Sequence, residues 1–183
     1  MRHPALLAWC LSAVMLMQTA QGAQALDARS DLQALPGALP TAPVRMTYWG
    51  FDLYDARLWT LQGFEPQRLP AHPFALELQY LRRLEGPAIA RRSIEEMRRI
   101  GTFTDAQAQR WLARLRELFP DVRAGDRLTG IHKPGEGAEF WFNGQRRGEL
   151  ADARFAELFF GIWLHPETSA PEVRERLLRD LRR

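Results

Sequence analysis

Residues 45–62 read RMTYWGFDLYDARLWTLQ, and this stretch decides the fold. Aromatic and branched residues dominate it, and Phe51 and Leu53 alternate in part with Asp52 and Tyr54, the period of a half-buried strand. Gly50 lies in its middle as a bend or turn, so the stretch is either two strand segments or one long bent strand. Downstream, Phe74 to Leu81 (FALELQYL) alternates with period two and predicts a further strand. The intervening Gly63 to Pro73 contains Pro66, Pro70 and Pro73 and reads as loop. Upstream, residues 26–44 hold Pro36, Gly37, Pro40 and Pro43 and read as an irregular lead-in.

Helical spacing follows the strands. Ile94, Met97 and Ile100 recur within residues 89–100, and Gly101 stops the run. Thr104 to Gln107 (TDAQ) is a capping box, in which the Thr oxygen takes the N3 amide and Gln107 reaches back. Behind it Ala108, Trp111, Leu112, Leu115, Leu118 and Phe119 form an apolar stripe that ends at Pro120. Sheet then returns over residues 127–132, 138–142 and 145–149, with Asn143-Gly144 as a type I′ hairpin turn, since both turn positions need positive φ. Residues 152–163 predict a helix with Phe155, Leu158, Phe159 and Ile162 on one face. Ser169 to Glu172 (SAPE) is a second capping box, opening a last basic helix to Arg182. The order β, β, α, α, β-hairpin, α, α predicts one α+β domain over residues 45–183, a mostly antiparallel sheet with helices on one face.

The first 25 residues read as an address. Arg2 and His3 give a short positive start, Ala5 to Met17 is apolar but for Ser12, and Ala23-Gln24-Ala25 ends a polar, small stretch. That is the layout of a secretory signal peptide cut after Ala25. The apolar run is shorter than the roughly 20 residues of a membrane span. A lipid anchor at Cys10 is disfavoured by the bulky Trp9 before it. The expected destination is the periplasm, with no membrane span left after cleavage.

Composition narrows the chemistry. The 183 residues are 46% hydrophobic and 26% charged, with a mean hydropathy of −0.34, as in a soluble globular chain. The one cysteine, Cys10, leaves with the leader, which excludes thiol catalysis, disulfides and Cys-ligated zinc from the exported chain. The net charge of +3 and a pI near 9.6 suggest nucleic acid at first sight. The arginine pairs, however, are interleaved with Glu85, Glu95, Glu96, Glu149 and Asp152 and read as solvated faces. Neither a phosphate-binding glycine motif nor a nucleophile elbow is present, and His72, His132 and His165 read as surface or loop imidazoles. No metal or cofactor is expected. Phe159 to Leu164 (FFGIWL) is more apolar than one buried helix face requires, which favours a fully buried helix or one flanking an apolar cavity. Against such a wall Arg45 would be a cation poised to meet an anionic group.

Several segments carry a family resemblance: Leu53 to Trp59 (LYDARLW), Gly125 to Gly130 (GDRLTG), Phe142-Asn143-Gly144, and Phe159 to Leu164 followed by Pro166 to Ser169 (PETS). From about Arg45 onward the chain resembles the chalcone isomerase-like family, specifically its secreted bacterial branch. Gly86-Pro87 and Gly101 to Ala106 are also similar to stretches of the plant members. The resemblance implies an open-faced β-sandwich, a sheet and a helical layer enclosing an apolar cleft. Some plant members close chalcones to flavanones, whereas others bind fatty acids without catalysis or act as helper proteins. In the enzymes an arginine at the head of the first long strand polarises the ketone, and Arg45 is the match. Their strand threonine falls near Tyr54, their tyrosine near Ile89, their asparagine near Glu96 and their late threonine or serine near Leu158. Tyr54 keeps a hydroxyl, but Ile89 and Leu158 carry no hydrogen-bonding group, so the water-organising set needed for cyclisation is largely missing. The preferred expectation is therefore a non-catalytic periplasmic protein. It would bind a small apolar or amphipathic ligand, fatty-acid-like or an aromatic acid, whose acid or enone end meets Arg45 and Tyr54. The alternative is an active isomerase of the intramolecular lyase type on another substrate.

Overall fold

A computed structural model of the chain describes residues 30–179 and Leu181. The expected leader and Arg182 lie outside the described residues. Residues 45–62 form two strands, β2 (Val44–Tyr48) and β3 (Phe51–Thr60), after a short β1 (Leu39–Pro40). Trp49 and Gly50 turn between them with φ of 51° and 77°, the both-positive pattern of a two-residue hairpin loop. The pairing of β2 with β3 slips between Met46 and Thr47, so that Met46 faces Tyr54 but Thr47 faces Asp52. Leu53 is thus one extra residue in β3, a bulge that resets which side chains share a face.

The remaining strands are β4 (Phe74–Tyr80), β5 (Arg127–Lys133), β6 (Gly137–Phe142) and β7 (Gln145–Leu150). All seven form one antiparallel sheet in the order β1-β3-β4-β5-β6-β7, with β2 alongside β3 next to β1. Asn143 and Gly144 make the β6–β7 turn with φ of 48° and 80°, as their sequence predicts. The helices are α1 (Gly86–Ile100), α2 (Asp105–Leu118), α3 (Ala153–Leu164) and α4 (Pro171–Arg179). Among the described residues no helix is long and apolar enough to cross a membrane. The expected α+β open-faced sandwich is the observed architecture.

One core lies between sheet and helices. Ala56, Leu58, Phe74, Leu76, Leu78, Tyr80, Leu128 and Phe140 face inward and meet Phe155, Phe159 and Phe160 of α3. Each buried ring contributes roughly 2–3 kcal/mol through the area it removes from water. Gly130 makes room for this contact, because a Cβ there would lie 3.2 Å from the Phe160 ring. The Thr104 capping box forms as predicted, with the Thr104 hydroxyl accepting from the Gln107 amide. Asp152 caps α3 by accepting from the Phe155 amide, and its other oxygen accepts from the Trp111 indole at 3.0 Å, which ties α2 to α3.

Three expectations are corrected. The lead-in is not merely irregular: Ser30–Ala34 form a 3-10 turn, β1 pairs with β3, and Leu35 packs with Ala75 and Ile131 on the sheet's outer face. There the Thr129 hydroxyl donates to the buried Asp31 carboxylate at 2.7 Å. Ser169 is drawn away from the expected capping box, because its hydroxyl donates to Glu96 of α1 at 2.7 Å. The first backbone bond of α4 runs instead from the Arg174 amide to the Ala170 carbonyl, and the described part of the helix ends at Arg179. His132 is no surface imidazole: only 4% exposed, it stacks on Phe74 with ring centroids 4.8 Å apart.

Candidate functional site

A cleft of about 940 Å³ opens between the sheet and the helical layer at the β2 side of the molecule. Tyr54, Leu78, Tyr80 and Leu128 of the sheet form its floor, and α3 supplies Phe159, Ile162 and Trp163. Ile89, Arg92, Ser93, Glu96 and Arg99 of α1 make one wall, and residues 169–173 with Arg176 at the start of α4 make another. The Phe159 to Leu164 run is so apolar because its helix serves two purposes. One side fills the core, and Ile162 and Trp163 border the cleft.

Tyr54 brings a phenol hydroxyl to the floor. The Trp163 indole donates to its hydroxyl at 2.9 Å, and its ring sits edge-on to Tyr80 with centroids 5.9 Å apart. Burial pushes the Tyr54 phenol up to about 12, so it is neutral at ordinary pH and its own proton remains to be donated. The bulge at Leu53 lets Leu53 and Tyr54, neighbours in sequence, both line the cleft.

The register of β2 against β3 decides the fate of Arg45. Its strand partner is Asp55, which alternation places on the outer face, opposite Tyr54. The bulge brings Asp52 to that side as well. Arg45 donates Nε and Nη2 to the two oxygens of Asp55, at 2.8 and 2.9 Å, and Nη1 to Asp52 at 2.9 Å. These bonds push the guanidinium still further up, Asp55 contributing most. Asp52 is held below the usual carboxylate range by the Thr47 hydroxyl and by Arg45. Arg45 therefore borders the cleft, but it is not the free cation that its place at the strand's head suggests. Two carboxylates already answer its one charge, so that Arg45 and Tyr54 both line the cleft but Arg45 does so at the edge, with its guanidinium engaged.

A second polar group, read from the sequence as a solvated helix face, belongs to the site. Glu96 is 6% exposed. Its carboxylate accepts from Ser169 and pairs with Arg92, one turn back on α1, while Arg99 approaches to 3.6 Å. Glu95 is exposed and pairs with Arg92 at 3.3 Å. The Arg92–Glu96 spacing of four residues was the available signal. What the sequence could not show was that α4 would bring Ser169 over the pair. The positions matched through the resemblance divide: Tyr54, Ile89 and Glu96 surround one cleft, whereas the buried Leu158 lies beside Gly101. Among the described residues no three His, Cys, Asp or Glu side chains converge as a metal site.

The comparisons with known proteins agree with this architecture. The family model described as chalcone isomerase-like matches residues 23–179. An uncharacterized protein of Haemophilus influenzae is 28% identical over 139 residues, covering 76% of this chain and 67% of that relative. The crystal structure of a fatty-acid binding protein of Arabidopsis thaliana is similar with a TM-score of 0.58, at 10% identity, over 79% of this chain and 88% of that one. At that identity the likeness is one of fold.

Proposed function

The chain belongs to the chalcone isomerase-like family, and from that premise we propose that it is a non-catalytic carrier of an apolar ligand with a polar end. The ligand is fatty-acid-like or an aromatic acid, and the protein acts in the periplasm. One observation carries the reading: the cleft of about 940 Å³ joins an aromatic and aliphatic floor to a single polar wall. That volume lies in the range of roughly 300–1,000 Å³ typical of small-molecule sites, and the balance of a large apolar surface with few polar groups is that of such sites. The similarly folded Arabidopsis protein is by its description a fatty-acid binding protein, which supports the ligand class.

The polar end of the ligand meets Tyr54 and the Arg92–Glu96–Ser169 group. A carboxylate or carbonyl accepts from the Tyr54 hydroxyl, while Arg92 supplies positive charge from the wall. Arg45 acts indirectly, since its ion pairs with Asp52 and Asp55 hold the hairpin beside the cleft mouth. Catalysis is disfavoured because Ile89 and Leu158, matched through the resemblance to hydrogen-bonding residues of the family's enzymes, carry no donor to place against a developing enolate. The periplasmic location rests on the leader-like residues 1–25.

Ligand extraction from the protein isolated from expressing cells, followed by mass spectrometry, tests the reading. A co-purifying acyl or aromatic acid, displaced by a fluorescent acyl probe, is the expected result. A protein that retains no such molecule and shows no saturable probe binding would overturn it. Export is tested by the mass of the periplasmic form, which should begin at Leu26.

A further inference from the structure

The β2–β3 hairpin ends in an exposed aromatic tip of which only Tyr48 borders the cleft. Tyr48, Trp49 and Phe51 are 47%, 84% and 59% exposed, and only Gly50 separates them. Trp49 also holds a left-handed φ of 51°, a conformation that bulky side chains rarely adopt. The chain solves the same problem differently in its other two-residue hairpin, where Asn143 takes the left-handed position before Gly144. A tryptophan in that slot is both strained and exposed, and its ring packs with that of Tyr48, itself exposed, rather than with the core. Strain maintained at such a site points to use.

Cations surround the tip. The Arg82 guanidinium lies 4.8 Å from the centre of the Phe51 ring, and that of Arg92 lies 5.5 Å from the Tyr48 ring. Arg83, next to Arg82, is exposed, and among the described residues no carboxylate pairs with either. The nearby Asp52 is held by Thr47 and Arg45. Tyr48 and Arg92 also border the cleft, so the tip stands at its mouth.

We infer that the Tyr48–Phe51 tip docks into the interface of a lipid bilayer with anionic headgroups. Tryptophan and tyrosine partition to the headgroup level because their rings are apolar with a polar edge. Arg82, which unlike Arg92 has no carboxylate partner among the described residues, meets a phosphate group without losing its stacking on Phe51. The shape favours a bilayer over a protein: three side chains on a convex two-residue turn cannot supply the roughly 800 Å² per partner of a stable protein interface. Docking would place the cleft mouth against the source of an amphipathic ligand. Only that consequence rests on the proposed carrier function; the docking itself rests on the chemistry of the tip.

The test is sedimentation of the protein, isolated from expressing cells, with vesicles of phosphatidylcholine alone or with about one-third phosphatidylglycerol. Trp49→Asn/Phe51→Ser and Arg82→Gln/Arg83→Gln variants are compared in the same preparation, so any contribution from the leader is common to all. Cooperative thermal melting at or above the parent's temperature for the aromatic variant, and near it for the arginine variant, confirms their fold. Binding to the anionic vesicles should fall about tenfold in the aromatic variant. It should fall about threefold or more in the arginine variant, and that difference should vanish at high salt. Equal sedimentation of the parent and the aromatic variant would overturn the inference, as would no binding to either vesicle. Tip-dependent self-association or protein capture without vesicle affinity would also overturn it. A protein that retains an acyl ligand but ignores vesicles refutes the docking alone; the reverse result refutes the ligand reading alone.

Discussion

Trp163 donates its indole N–H to the Tyr54 hydroxyl at 2.9 Å, joining α3 to β3 across the floor of the cleft. These residues lie far apart in sequence, and the bond exists because Tyr54 alternates with Ala56 and Leu58 on the face of β3 that meets the helices. It fixes the phenol oxygen as acceptor and so commits the phenol proton to whatever enters the cleft.

Removal of that hydroxyl should therefore have two separable effects. Tyr54→Phe leaves the Trp163 indole without its acceptor in a site only 6% exposed, at a cost of about 1–2 kcal/mol of unfolding free energy. Denaturant titration reads that loss. Acyl-probe displacement should show a weaker preference for acids over hydrocarbons of equal length, because the donor to the polar end is gone. An unchanged preference would remove Tyr54 from the ligand site while leaving its structural role.

Alkaline conditions probe the same phenol. Burial raises the Tyr54 value from 10.0 to about 12, so the folded state keeps its proton where the unfolded chain has lost it. The stabilising contribution is whole below pH 10 and is lost as pH rises from about 10 to 12, amounting to about 2–3 kcal/mol. Tyr80, raised further by burial, steepens the same decline. Denaturation curves between pH 8 and pH 12 should show this fall, and Tyr54→Phe should reduce it.

Glu96 tempers the positive charge of the polar wall. With its carboxylate present, the charges of Arg92 and Arg99 are partly spent inside the protein. Glu96→Gln keeps an acceptor for Ser169 but frees that positive charge. A long-chain acid should then bind about five- to tenfold tighter, and the alcohol of the same length should bind as before. Stability should fall by about 1 kcal/mol through the lost ion pairs. Equal gains for acid and alcohol would show that the wall does not contact the polar end.

The features legible in the sequence were those with local causes. The Thr104 capping box, the Asn143-Gly144 turn and the alternation of Phe74 to Tyr80 each depend on residues a few places apart, and each formed as read. The apolar excess of Phe159 to Leu164 announced a cavity wall for a similar reason, since one helix face needs only part of it. What escaped the sequence depended on partners remote in the chain. Register against β2 set Arg45 opposite Asp55, and the bulge at Leu53 added Asp52 to the same side. Glu96 looked like its neighbour Glu95 until Ser169, on another element, covered it. Family resemblance identified Arg45 and Tyr54 as site residues together. Only the register of the two strands shows that Arg45, at the edge of that cleft, is already engaged by Asp55 and Asp52.

His132 gives the last prediction, at the acid end. Its Nδ1 donates to the His72 carbonyl at 2.8 Å, since a carbonyl can only accept, and its ring lies between Phe74 and Phe160. Desolvation there holds the imidazole below its usual value of 6.5, although the His72 carbonyl opposes the shift. A histidine buried neutral stabilises the fold above its unfolded value, and that contribution is lost as pH falls through 6.5 and below. For one group the slope is at most about 1.4 kcal/mol per pH unit. Carboxylates add their own acid losses, so the informative quantity is the difference from a variant without the imidazole. His132→Asn can still donate to the His72 carbonyl but does not titrate. Its unfolding free energy should lie below that of the parent at pH 8, and the gap should narrow towards pH 5. A gap of constant size across that range would mean that His132 stays uncharged, or is charged equally in both states, and contributes only its stacking on Phe74.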